Sequence, residues 1–475
     1  MKENATVLQA EDGLKVHTED DLPSPEAVIE ALGIPNWRDL EKKAVRRLDM
    51  TLMPCMWSLY LFNYLDRASL SQGRLSSLDA DLGLTGYQFS TAVAILSVGY
   101  VLGQIPSNMI LPYIRPSLYL PACAILWSGV SAATCGVKDY SGLVAVRFCL
   151  GIVEAPLFPG AIYVMSCWYT RKEIGLRVAV FYLANILAQG TSGLIAAAVF
   201  GTLEGALGMA GWQWLFIVLA SVGAALAVVC IFLLPDYPDS TTGSGTWVLT
   251  EEMRIVCKAR MVADRVSATE AKAGLWLIVG MNIFISMAYG FSNFYPSIVR
   301  GFGYERTTTL LITFPPYFCA AVAAVCLARS SDHFSERGWH FSLPIAVGLV
   351  GYVVCLARED RIPRYIASFL YITGMLAANP LINSWIPTCL GRTPEKRAVG
   401  VALNNVLGQI GTFVGPYFFD SNDEPAYTRA FALMLVSGVL AIGCGLLQKF
   451  LLRRENKKLY QKALQDGTAY SPYVL

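Results

Sequence analysis

Two short patterns place charges where the surrounding sequence is too apolar for water. Leu143 to Trp168 is a predominantly apolar run long enough to cross a bilayer, yet it holds Arg147 and Glu154. Seven residues is close to two turns at 3.6 residues per turn, so both side chains share one helix face. An earlier apolar run holds Asn63-Tyr-Leu-Asp66-Arg67. Adjacent residues on a helix diverge by about 100°, so Asp66 and Arg67 each need a separate partner. A charge at bilayer depth costs at least ~2.5–3.5 kcal/mol on insertion scales, and it normally faces a partner or a watery cavity. Such charges either lock helices together as structural ion pairs or line a route for an ion or a charged ligand. The economical arrangement pairs the acids and arginines of the two runs across one cavity. A carboxylate poised between desolvation and a nearby guanidinium can exchange a proton near physiological pH. A guanidinium left uncompensated offers a planar fork suited to a carboxylate or similar oxyanion.

The elements that must position these residues follow from composition. Of 475 residues, 55% are hydrophobic and only 15% charged, with a mean hydropathy of +0.47. Soluble proteins carry about 25% charged residues, so the chain is read as an all-α membrane protein. Apolar stretches fall near 50–71, 87–109, 118–136, 141–166, 175–200, 212–234, 274–298, 307–328, 341–357, 365–386, 397–419 and 427–451. Each is near the ~20 residues a helix needs to span, which predicts twelve transmembrane helices. Residues 1–47 read as a cytosolic tail ending in a short amphipathic approach from Trp37 to Arg47 along the membrane. Residues 48–234 and 273–452 read as two six-helix bundles, 235–272 as a cytoplasmic linker, and 453–475 as a cytosolic tail. In the linker, Thr250-Glu-Glu-Met-Arg has the hydroxyl and acids of a capped helix start.

Basic residues concentrate at Lys42 to Arg47, Arg171 to Arg177, Arg392 to Arg397 and Arg453 to Lys458, which predicts that both termini are cytoplasmic. The loop from Arg358 to Arg364 resists this rule, although its charges largely cancel. The halves read as a duplication. Arg177…Asn185-Ile-Leu-Ala-Gln189 recurs 220 residues later as Arg397…Asn405-Val-Leu-Gly-Gln409. At that offset Arg147 becomes Ala367, Glu154 becomes Gly374 and Asp66 becomes Ser286. The scaffold repeats and the charges do not, which ties the charges to function more readily than to folding.

The second half contributes uncharged polar residues, of which Tyr289, Asn293 and Asn383 are the candidates for ligand contact. Amides in spans commonly serve helix–helix hydrogen bonds instead. Gly408, Gly411 and Gly415, with a weaker match in Gly190 and Gly193, predict a close-packing face. Asp332 and Arg337 flank a loop whose charges could pair with a helix end of the other half and hold one side shut; an ordinary solvated loop is the alternative.

Three histidines, His17, His333 and His340, are too scattered for a metal site, and the twelve cysteines include no Cys-x-x-Cys pair. Neither His-Glu-x-x-His, Gly-x-Ser-x-Gly nor a phosphate-binding Gly-x-x-x-x-Gly-Lys-[Ser/Thr] occurs, which argues against a membrane enzyme and an ATP-driven pump. A net charge of +2 points to no nucleic-acid partner.

Asn63-Tyr-Leu-Asp-Arg67, Leu82-Gly-Leu-Thr-Gly86, Ile105-Pro-Ser-Asn108, Arg147-Phe-Cys-Leu-Gly-Ile-Val-Glu-Ala155, Phe158-Pro-Gly160 and Trp247-Val-Leu-Thr-Glu-Glu252 resemble the major facilitator superfamily. More narrowly they resemble its anion:cation symporter group, especially the fungal allantoate permease-like branch, over residues 45 to 455. The resemblance implies that Asp66 and Glu154 take up protons, that Arg67 holds a substrate carboxylate and that Arg147 orients Glu154. The 328–337 segment resembles the second copy of the superfamily's loop motif, whereas the first copy is replaced here by Pro112-Tyr-Ile-Arg-Pro-Ser117. The expectation is a proton-coupled importer of a small organic anion in the plasma membrane, driven by the proton gradient with no cofactor and acting as a monomer. An exporter of an acidic metabolite and a non-transporting sensor are the alternatives.

Overall fold

The computed structural model describes residues 36–238, 240, 242, 245–264, 275–334, 336–389, 394–420 and 423–466. Among these residues regular structure is helical and no β-strand occurs. The first half contains α1 (Trp37–Gly73), α2 (Gln88–Ile110), α3 (Pro116–Ala133), α4 (Tyr140–Glu154 continuing as Leu157–Trp168), α5 (Arg171–Leu203) and α6 (Gly211–Leu233). The second half contains α7 (Leu275–Ala288 with a 3-10 turn Gly290–Asn293), α8 (Arg306–Ile312 continuing as Phe314–Phe334) and α9 (Gly338–Ala357). It ends with α10 (Arg361–Cys389), α11 (Pro394–Val414) and α12 (Thr428–Asp466). Among the described residues, ten helices are long and apolar enough to cross a membrane. α1 and α11, at 37 and 21 residues, have the length and lack the hydropathy. Both carry cavity-facing polar residues, which is why composition alone undercounts them.

Neighbour relations in the first half recur in the second. α1 packs on α5 and α6, α2 on α4, and α3 on α6; correspondingly α7 packs on α11 and α12, α8 on α10, and α9 on α12. The halves meet along α5–α8 and α2–α11. The glycine faces make these approaches possible. A Cβ at Gly411 would lie 2.3 Å from the Ile283 carbonyl oxygen of α7, inside the second half. A Cβ at Gly193 would lie 2.5 Å from Thr313 Oγ1 and 2.6 Å from the Leu310 carbonyl oxygen, across the boundary between halves.

One sequence expectation changes. The approach from Trp37 to Arg47 is not a separate surface segment, because one helix runs from Trp37 through Gly73. No helix breaker interrupts it before Pro54, and Ala44 and Leu48 are fully buried. α12 itself continues to Asp466, so the first part of the expected tail from 453 is helical.

The linker begins as a clamp on the first half. Asp236 accepts from Arg115 at 3.2 Å and from the Ser117 N–H at 3.1 Å, which gives a use to the basic residue of the altered loop. Thr250 Oγ1 accepts from the Met253 N–H at 3.4 Å and caps the helix Glu251–Asp264, as expected. From that helix buried Arg260 donates to the Trp168 carbonyl at the end of α4, and it pairs with Glu173 at 3.2 Å and Glu41 at 3.4 Å. Residues 265–272 of the expected linker lie outside the described residues. Arg364 also finds a structural explanation. It lies in the first turn of α10, is buried and donates to the Ala426 carbonyl, so it ties α10 to the chain before α12.

Candidate functional site

Leu143, Arg147, Leu150, Gly151 and Glu154 are the buried residues of the first piece of α4, a single face at three- and four-residue spacing. The helix breaks directly after Glu154, at Ala155-Pro156. Pro159 has no N–H to donate back to the Ala155 carbonyl, and Pro156 sits at the N-cap of the next piece. The break was legible as two prolines, yet spacing alone did not place it.

On α1, Asn63 and Asp66 are each 2% exposed, while Arg67 turns toward the space between the halves. Arg67 Nε donates to Glu154 Oε2 at 2.6 Å, and its guanidinium lies 5.1 Å from both the Tyr64 and Tyr100 ring centres. Glu154 is completely buried. The direct partner of Glu154 is thus Arg67, where the resemblance implied an orienting role for Arg147. Arg147 makes no hydrogen bond through Nε or Nη2, and it lies over the Phe216 ring at 5.8 Å. The physical reason is axial distance: seven residues at 1.5 Å per residue separate Arg147 from Glu154 by about 10 Å along α4.

Two adjoining compartments lie between the halves. The first, an empty space of about 590 Å³, is lined from the first half by Asn63, Arg67, Tyr100 and Glu154, and from the second by amides and hydroxyls including Tyr289, Asn383 and Gln409. The second, about 1000 Å³, is lined by Arg67, Arg147, Gln72, Asn185, Gln189 and Asn293 among others. Tyr64, Arg67, Tyr289, Gln409 and Thr412 belong to both. The expected ligand-contact residues border this cavity, Asn383 in the first compartment, Asn293 in the second, Arg67 and Tyr289 in both; Asn63 joins them in the first and Arg147 in the second. Asp66 lines neither and is packed behind the wall.

Asn185 and Gln189, with Asn405 and Gln409, were legible as the internal repeat but not as cavity residues. Each pair faces the cavity from its own half, and Gln189 Nε2 donates to Asn185 Oδ1 at 2.6 Å. Arg177, the basic residue of the first copy, instead forms a two-bond pair with Asp49 of α1, both bonds 2.7 Å, near the start of α5.

The face opposite the chain termini is closed by contacts between halves. Arg306 pairs with Glu204 at 2.7 Å, Arg74 approaches Glu424 at 3.7 Å, and Tyr87 donates to Asp420 at 2.8 Å. Beneath them Phe294 and Phe419 stack at 4.2 Å, with Phe89 edge-on to Phe294. On the termini face the side chain of Asp332 lies outside the described residues, and Arg337 begins α9. Between them Glu336 accepts from Lys449 of α12, from the Trp339 N–H at 3.0 Å and from His340 Nδ1 at 3.2 Å. Partial burial works against the charged form, but these hydrogen bonds hold the Glu336 carboxyl below its ordinary range.

A twelve-helix, two-half architecture with charged residues facing a central cavity is that of a membrane carrier, and the family model described as "Major Facilitator Superfamily" matches residues 56–416. The chain belongs to that superfamily of multi-pass membrane transporters. It is 31% identical over 439 residues to the "MFS-type transporter cnsO" of Penicillium expansum, covering 88% of this chain and 84% of that protein. It is 28% identical over 443 residues to the "Major facilitator-type transporter hxnP" of Emericella nidulans, covering 88% and 87%. The "Putative tartrate transporter" of Agrobacterium vitis is 29% identical over 416 residues, covering 85% and 94%. Among solved structures, a D-xylose-proton symporter superposes with a TM-score of 0.63 at 14% identity, covering 84% of this chain and 97% of that one. A bacterial homolog to the human lysosomal transporter Spinster, inward-facing and occupied, gives 0.64 at 14% identity, covering 84% and 96%. These structural likenesses establish the fold.

Proposed function

We propose that the protein is a proton-coupled carrier that imports a small organic anion by alternating access between its two halves. The Arg67–Glu154 pair at the cavity wall carries this reading. In the pair the guanidinium is already neutralised, so an incoming carboxylate must compete with Glu154. A proton delivered to Glu154 removes that competitor and leaves the Arg67 fork for the substrate anion. Binding one proton and one monoanion leaves the charge of the set Asp66, Arg67, Arg147 and Glu154 unchanged, so the loaded site can cross the bilayer as readily as the empty one. That equality couples the two ligands. Asp66, buried behind the wall, is the second protonation site, and a proton held there is balanced by a second negative charge on the substrate. The name of the Agrobacterium vitis relative, a putative tartrate transporter, supports a carboxylate as the substrate class. With the termini in the cytoplasm, contacts across the opposite face give an inward-facing state, and the plasma membrane is the proposed location. Asp332 and Arg337 are proposed to help close the cytoplasmic side in the outward-facing state.

The test is uptake of radiolabelled carboxylates into cells at acid and neutral external pH, wild type beside Glu154→Gln. Acid-stimulated accumulation of one compound that the substitution abolishes is expected. Faster loss of preloaded acid, with no acid-stimulated entry, would overturn import in favour of export.

A further inference from the structure

α12 is 39 residues long, about 58 Å at 1.5 Å per residue, whereas the hydrocarbon core of a bilayer is about 30 Å thick. No charged residue lies between Arg429 and Lys449, so the helix leaves the hydrocarbon near Phe450 and continues beyond it. Its two long faces differ. Gln448, Lys449, Leu452 and Asn456 are buried against the protein, and Lys449 is taken up by Glu336. Val436, Val439, Leu440, Leu447 and Phe450 are exposed, and at about 100° per residue they fall within one arc that faces the lipid. Continued past Phe450, the same arc, about 140° wide, holds Arg453, Arg454, Lys457 and Lys458, all exposed. The lipid-facing stripe of the span therefore turns basic in register, at the level where the hydrocarbon ends.

We infer that Arg453, Arg454, Lys457 and Lys458 form a binding surface for anionic phospholipid headgroups of the cytoplasmic leaflet. The inference goes beyond the carrier reading and takes from it only the placement of the termini in the cytoplasm. Depth supports a lipid as the occupant. The headgroup layer is roughly 5–8 Å thick on each side, and Arg453 to Lys458 rise about 7.5 Å along the axis, so the four cations span that layer. Charge supports it too, because the cytoplasmic leaflet carries the anionic lipids and attracts basic residues next to a span. The cations are available. Among the described residues Arg453, Arg454 and Lys457 pair with no acid, and Lys458 meets Glu455 at 2.7 Å only in an exposed pair of the weak kind. The Arg454 guanidinium lies 4.6 Å from the Phe450 ring centre, which holds it at the edge of the apolar stripe, where a phosphate meets its acyl chains.

The test is native mass spectrometry of the purified full-length protein, titrated with phosphatidylserine or phosphatidylcholine of identical acyl chains, so that only the head differs. Wild type is expected to bind the first phosphatidylserine at least tenfold tighter than phosphatidylcholine, each cation near the surface being worth about fivefold before screening. Replacing all four, as Arg453→Gln, Arg454→Gln, Lys457→Gln and Lys458→Gln together, should remove most of that preference. Arg358→Gln with Arg361→Gln, two exposed residues of the loop before α10, should leave it as in wild type. A preference unchanged by the four substitutions would overturn the assignment. Should the four-residue variant not fold, salt decides: a wild-type preference that fails to narrow severalfold between about 50 and about 500 mM salt would overturn it. Equal binding of both lipids by wild type would also overturn it, leaving the stripe to an acidic protein segment. No transport is measured, so each of these failures leaves the carrier reading standing.

Discussion

Asp66, Arg147 and Glu154 in the first half correspond, 220 residues on, to Ser286, Ala367 and Gly374 in the second, and the surroundings of each set suit its chemistry. Glu154 is buried and ion-paired. Gly374 sits at the crossing of α9 and α10, where a Cβ would lie 2.3 Å from the Pro344 carbonyl oxygen. Ala367 is 1% exposed in the apolar core, and Ser286 lines the first compartment beside Tyr289. The helical plan was kept in both halves. Charge occupies these positions in one half, while the other uses them for close packing and neutral hydrogen bonds. One wall can then change its charge with protonation, and the other can hold whatever polar body the first delivers.

The largest test of that asymmetry is Arg67→Lys. An ammonium cannot reproduce the planar fork, and two fewer directed donors should reduce uptake at least a hundredfold, measured as initial rate over substrate concentration. A wild-type rate would show that any cation suffices on the charged wall. Next in size is Glu154→Gln, which should abolish pH-driven accumulation while retaining exchange of labelled for unlabelled substrate across proteoliposomes. Loss of both together would make Glu154 a structural partner of Arg67 and nothing more. On the other wall, Gly374→Ala should destabilise the purified protein by roughly 1–3 kcal/mol through overpacking, seen as a lower Tm, whereas Gly129→Ala, with nothing within 4 Å of the added Cβ, should change little.

The smallest effect is expected at Glu336, outside the cavity, where Glu336→Gln should cost roughly 1 kcal/mol. Its carboxyl is held below the ordinary 4.5 in the folded protein. Its contribution is therefore fully present above about pH 4.5 and disappears as the pH falls through the lower folded value. Thermal unfolding of wild type and variant should converge at the acid end; a constant gap would assign the effect to packing.

The sequence located nearly every span because apolar runs of about twenty residues leave a helix as the only way to satisfy the backbone in a bilayer. It missed that α1 extends without interruption from Trp37, since burial of Ala44 and Leu48 depends on α1 packing against the linker helix. At the site, Asp66, Arg67, Arg147 and Glu154 stood out because charges in apolar runs are costly. Asn185 and Gln189 did not, since an amide in a span looks the same whether it faces a neighbouring helix or a cavity. Glu336 was likewise hidden, because Lys449 lies 113 residues away in the chain.

By itself the sequence determined the helices, the duplicated halves and the one-sided distribution of charge, all set by local hydropathy, spacing and repetition. Only the tertiary structure decided that Arg67 takes Glu154, a partner 87 residues distant, that Arg147 opens into a different compartment, and that the amides of both halves converge on one cavity. Those outcomes depend on the rotation and depth of each helix against its neighbours, fixed by packing across the whole bundle and by no short stretch of the chain.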